Sequence, residues 1–141
     1  MAVMAMVAQF LVDTSALARY PCPAVAARLD ELSAAGVVAT CGVVELQLLS
    51  ALQDVGTYAT VAAMRRNAFT MLETTEADVR RALEVQGLLT ERGEFSVPWP
   101  ALIIAAVAER HGVTVLHYDA CFDVIVEVTG QGMEWVAALR T

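Results

Sequence analysis

Short, almost wholly apolar runs alternate along the chain with longer stretches whose apolar positions recur at helical spacing. Residues 8–13 predict a strand whose apolar run, Phe10 to Val12, stops at Asp13, and Thr14 opens a short helix to about residue 19. Pro21, Cys22 and Pro23 break the chain. Pro23 suits the first turn of a helix running to about Ala34, which Gly36 ends. Residues 37–40 form a second short strand, and Thr40 is placed to cap a helix over residues 43–53 that carries Glu45. Gly56 punctuates before a helix at 57–67 and a strand at 69–72. Thr75 opens a charged helix to about Arg92, with Val79, Leu83, Gly87 and Leu88 at helical spacing. A loop at 93–99 precedes Pro100 and an apolar helix, 101–110, that stops at Gly112. A strand at 113–118, a helix at 120–128 and a last strand at 133–137 complete the chain.

Strands that alternate with helices imply a parallel sheet. Strands that are short and nearly all apolar imply that both faces are covered. The expected class is therefore α/β, with a central short parallel sheet flanked by helices in an α/β/α arrangement. The 141 residues suit a single domain spanning 1–141. A hydrophobic fraction of 57% against 18% charged residues adds the expectation of an oligomer interface. No apolar stretch reaches the roughly 18 residues of a membrane span, and no basic segment precedes the first apolar run as in a secretory signal. A cytoplasmic protein is expected. Three cysteines without a C-x-x-C pair suit reduced thiols rather than a disulfide framework or a thiolate zinc site.

The net charge is −7, and all nine basic residues are arginine. The lack of lysine excludes P-loop phosphate binding, Schiff-base chemistry and phospho-acceptor receivers. The acidic balance argues against binding nucleic acid through a broad basic surface.

Asp13 ends one strand and Asp119 closely follows another, which puts both at the carboxyl edge of a sheet, where α/β proteins build sites. Glu45 lies early in the helix after a third strand. Each acid alone could simply cap a helix. Three that converge would repel unless a hard divalent cation compensates them, which points to chemistry on phosphates.

The segment Leu11 to Leu17, with Asp13, Thr14 and Ser15, resembles the opening motif of PIN-domain nucleases. Val44, Glu45 and Leu46 with Ser50 and Ala51 are similar to the second motif of that family. Val97 to Ala106 resembles the third, and Val115 to Asp123 the fourth. In order and spacing the likeness covers residues 8 to about 137. The size and the alanine- and arginine-rich style resemble VapC toxins of type II toxin–antitoxin systems, of the actinobacterial kind. The resemblance implies an endoribonuclease that uses Mg²⁺ or Mn²⁺ to activate water for attack on an RNA phosphodiester. By carry-over, Asp13, Asp119 and Glu45 would bind metal, and Ser15 would orient Asp13 or a metal-bound water. It further implies a homodimer, neutralised by a VapB-type antitoxin, that cuts tRNA or ribosomal RNA.

Two positions depart from the family pattern. Ala101 stands where the third motif has its aspartate, and Cys121 stands where an acid often follows the fourth. Asp123, two residues further along a helix, faces elsewhere and substitutes poorly. The loss of two carboxylates should weaken metal binding and impair cleavage. The alternative is a degenerate PIN domain that binds antitoxin or RNA without cutting. A haloacid-dehalogenase-like phosphatase is excluded, because it needs an acid where Ser15 stands, and a lysine. His111 and His117 are expected to be structural. The pairs Arg65 and Arg66, and Arg80 and Arg81, are expected on solvated helix faces, and Trp99 as a packing anchor. The apolar helices between 23 and 69 are candidates for a dimer interface or an antitoxin groove.

Overall fold

The computed structural model describes residues 7–138. Five strands, β1 (Phe10–Val12), β2 (Val38–Cys41), β3 (Thr70–Leu72), β4 (Thr114–His117) and β5 (Met133–Trp135), form one sheet in the order β3-β2-β1-β4-β5. Every pairing is parallel. The connecting helices are α1 (Thr14–Leu17), α2 (Pro23–Ala34), α3 (Gly42–Leu49), α4 (Val55–Ala68), α5 (Glu76–Glu91), α6 (Trp99–His111) and α7 (Cys121–Thr129).

Period-two alternation divides the strand residues between two cores. Leu11, Ala39, Cys41 and Val115 join buried residues of α3, α5, α6 and α7 on one face. Val12, Val38 and Leu116 join Ala16, Val25 and Leu29 of α1 and α2 on the other. This is the α/β/α arrangement expected from strands without a polar face.

The strand order fixes where a site can form. From β1 the chain builds outward through β2 and β3, then returns to place β4 on the other side of β1. The crevice at the carboxyl ends of β1 and β4 is the topological switch point of the sheet. Asp13 follows β1 directly, and Asp119 lies two residues beyond β4.

Several sequence expectations need correction. The helix carrying Glu45 ends at Leu49, not near residue 53, and its N-cap is Cys41 rather than Thr40. Gly56 does not precede α4 but lies in its first turn. Asp54 is the cap, and its carboxylate accepts the Thr57 backbone N–H at 2.8 Å. On α5 the buried positions are Asp78, Ala82, Val85 and Leu89, not Val79, Leu83, Gly87 and Leu88. Leu83 is 61% exposed. The inward face is chosen by Asp78, which accepts the Thr75 backbone N–H at 2.8 Å and Arg110 Nε of α6 at 2.8 Å. A satisfied acid can thus be buried against α6 while a leucine stays out, a choice hydrophobicity alone does not reveal.

Candidate active site

Asp13 is buried at the N-cap of α1, where its Oδ2 accepts the Ser15 backbone N–H at 2.9 Å. Ser15 Oγ accepts the Tyr118 backbone N–H at 2.9 Å, so the hydroxyl ties the loop after β4 to the start of α1. Asp119, exposed, accepts the Cys121 backbone N–H on Oδ1 at 2.9 Å. Its own N–H donates to His117 Nδ1 at 3.2 Å. These bonds aim two carboxylates, from either side of the switch point, at a shared cavity of about 280 Å³. Asp13, Ser15, Gln47, Ala101, Asp119 and Cys121 are among its lining residues.

Four of the residues singled out from the sequence, Asp13, Ser15, Ala101 and Asp119, are thus brought together. Ala101 is buried, in the first turns of α6, with its methyl group at the cavity wall. Cys121 supplies a thiol and no charge. Burial first, and the carboxylate of Asp119 second, push its pKa up to about 12, so the thiol stays protonated at neutral pH.

Glu45 does not join them. Arg65 of α4 donates to its carboxylate twice, Nε to Oε1 at 2.7 Å and Nη2 to Oε2 at 2.9 Å. The Thr40 hydroxyl donates to it as well. The paired side chains are only 12% and 13% exposed, and they line a different cavity. The residue that α3 presents to the first cavity is Gln47. Positions two apart on a helix point about 200° apart, so a helix that turns Gln47 toward the cavity turns Glu45 away. Gln47 was not among the residues expected at the site, and Arg65 is paired and enclosed rather than on a solvated helix face. The i, i+2 spacing was the signal for the first, but nothing local announces a partner for Glu45 twenty positions on.

Asp123 faces away from the cavity, and its carboxylate receives the Trp135 indole N–H at 3.2 Å. Arg81 bonds Glu84 and Glu109 rather than standing free. His111 is the last residue of α6, and its Nε2 lies 3.1 Å from the Glu73 carbonyl, which fits a structural role. His117 is fully buried between the rings of Phe122 and Trp135. Trp99 is not a packing anchor, since it is 62% exposed at the start of α6.

A divalent cation implied by the resemblance would need oxygen donors converging on one point. The residues present do not make a ready site for one. Among the described residues Asp13 and Asp119 are the only carboxylates lining the cavity, Cys121 offers a soft sulfur where a hard cation takes oxygen, and Glu45 is held by Arg65. Among the described residues no group of three histidine, cysteine, aspartate or glutamate side chains is gathered to hold a metal.

The sequence pattern of the PIN domain matches residues 10–127. This chain is a PIN-domain protein of the VapC family. Ribonuclease VapC21 of Mycobacterium tuberculosis is 40% identical over 137 residues, which cover 96% of this chain and 99% of that protein. Ribonuclease VapC51 of the same species is 39% identical over 137 residues, 96% of this chain and 98% of that one. The fold of this VapC-family chain also matches the crystal structure of VapBC2 from Rickettsia felis bound to a promoter DNA fragment. The TM-score is 0.71 and the identity 14%, over 92% of this chain and 98% of that chain. No helix among the described residues is long and apolar enough to cross a membrane.

Proposed function

We propose that this chain is a VapC-type toxin built on a metal-dependent endoribonuclease site, and that its cutting activity is impaired by Ala101 and Cys121. The observation that carries the reading is the shared cavity. Asp13 and Asp119 line it, and so do an alanine and a protonated thiol at the two positions where the family pattern has acids. The substrate is RNA, of the tRNA or ribosomal class. Mg²⁺ or Mn²⁺ is the cofactor of the lineage, held weakly here. The partners are a VapB-type antitoxin and a second copy of the chain. Full coverage by named ribonucleases at about 40% identity supports the lineage, and the match to a VapBC structure supports the antitoxin.

The test is RNA cleavage in Mg²⁺ and in Mn²⁺ by the chain as it stands, by Ala101→Asp/Cys121→Asp, and by that variant with Asp13→Asn added. The restored variant should cleave at least about 100-fold faster than the parent, because loss of even supporting residues at metal sites costs about 10–100-fold. Asp13→Asn should abolish the gain. If restoring both acids brings no cleavage, the assigned roles of positions 101 and 121 are wrong.

A second reading, a PIN domain that binds antitoxin or RNA without cutting, is favoured by the Arg65–Glu45 pair, which commits the third acid to α4. Antitoxin binding by the parent chain together with no cleavage at any metal concentration would select it.

A further inference from the structure

Among the described residues one buried side-chain polar atom has no hydrogen-bond partner, Nε2 of His117. The imidazole is 0% exposed, with the ring centres of Phe122 and Trp135 at 4.8 and 4.9 Å. Its other nitrogen, Nδ1, accepts the Asp119 backbone N–H at 3.2 Å. An accepting Nδ1 carries no proton, so the proton of the neutral ring sits on the unpaired Nε2. A buried donor without an acceptor lowers stability. An aliphatic side chain of similar size would fill the slot between the two rings without that loss. The bond to Asp119 does little to offset it, because Asp119 is exposed and water can take its N–H instead. Water cannot fix a direction, however, and the surrounding bonds are all directional. The Val136 N–H reaches the His117 carbonyl at 2.7 Å, and the Tyr118 N–H reaches Ser15 Oγ at 2.9 Å. The Nδ1 bond is the next link in that series. It ties the peptide just before the Asp119 Cα to a ring that cannot move.

We propose that His117 is a positioning residue for Asp119: its Nδ1 holds the peptide from which the Asp119 carboxylate enters the cavity, and the unpaired Nε2 is what that placement costs. His117 acts through Asp119 and does not itself line the cavity. The proposal rests on the cation-binding reading of the cavity and adds the residue that aims one of its two carboxylates.

In the isotope-labelled parent chain, NMR should show a nitrogen–nitrogen coupling across the bond from the Asp119 amide to His117 Nδ1. Its absence overturns the proposal. Mn²⁺ affinity is then read by calorimetry in the Ala101→Asp/Cys121→Asp background, with His117 intact, with His117→Leu and with His117→Asn. His117→Leu should bind Mn²⁺ about 10–100-fold more weakly, as loss of a ligand's supporting partner predicts, while its metal-free Tm stays at or above that of the background. His117→Asn presents a side-chain oxygen to the N–H two residues on, and should recover most of the lost affinity. Equal affinity in His117→Leu and the background, or no recovery in His117→Asn, overturns the proposal. So does a Tm of His117→Leu well below the background's, which would make the ring a part of the core and nothing more. If the background binds no Mn²⁺ with His117 in place, the cation-binding reading fails and the proposal falls with it. That result is distinct from Mn²⁺ binding that His117→Leu leaves unchanged, which refutes the role of His117 alone.

Discussion

Replacing Arg65 by methionine should destabilise this domain more than any other surface-helix substitution on α4. Its two bonds to Glu45, at 2.7 and 2.9 Å, join side chains that are 12% and 13% exposed. Removing one member of so enclosed a pair strands the other charge, at a cost of about 3–5 kcal/mol. The Thr40 hydroxyl still serves the stranded carboxylate, which favours the lower end of that range. Loss of the guanidinium 4.8 Å from the Phe69 ring adds about 0.5–1 kcal/mol. The sum is about 3.5–4 kcal/mol, or a fall in Tm of at least roughly 10 °C for a domain of this size. Glu45→Gln in the same chain removes the charge that Arg65→Met leaves behind. The double variant should therefore lose less than the sum of the single losses, with a coupling of about 2–3 kcal/mol. Urea unfolding followed by circular dichroism measures all four proteins. If Arg65→Met unfolds within about 0.5 kcal/mol of the parent, or the two losses simply add, Glu45 is not held as described. A companion readout is metal affinity: Glu45→Gln should leave Mn²⁺ binding unchanged, because Glu45 does not line the cavity of Asp13 and Asp119.

Asp78→Ala should cost about 2–4 kcal/mol by urea unfolding, since a 1%-exposed carboxylate there caps α5 and receives Arg110. Burial alone would raise the pKa of Asp78, but Arg110 and the Thr75 N–H hold it below the ordinary carboxylate value. Its contribution is thus complete at neutral pH and is lost as pH falls below about 3.9, where the parent should converge on Asp78→Ala. His117 has its pKa depressed mainly by burial, with its Nε2 enclosed and unpartnered, so it stays neutral in the fold while the unfolded chain takes up a proton near pH 6.5. Stability should therefore fall as pH drops from 7 toward 5. That slope should flatten in His117→Asn, which keeps an acceptor for the Asp119 N–H and cannot charge; an unchanged slope refutes the assignment. Ala101→Asp/Cys121→Asp should melt lower than the parent without metal, because four acids then crowd one cavity, and Mn²⁺ should raise its Tm while leaving that of the parent unmoved.

Much of this was legible because the strands are simple. Apolar runs ending in Asp13, and just before Asp119, announced a parallel sheet with acids at one edge, and the Pro23–Ala34 helix has the predicted bounds. The α5 face was not legible, because Asp78 is buried by partners that lie outside its own periodicity, in Thr75 and Arg110. The direction of Glu45 was not legible either. It depends on Arg65, twenty residues on in another helix, and spacing along α3 gives only the angle between Glu45 and Gln47. Likewise Asp123 could be removed from the site by helical geometry, but its bond to Trp135 needed the packing of α7 on β5. Contacts between elements, more than the elements themselves, were what the sequence withheld.

The central claim is that this VapC-family site is short of carboxylates at positions 101 and 121. Calorimetric titration of Mn²⁺ into the parent chain and into Ala101→Asp/Cys121→Asp tests it directly. The restored variant should bind at least about 100-fold more tightly than the parent, with the gain lost on Asp13→Asn. Equal, tight Mn²⁺ binding by the parent would contradict it.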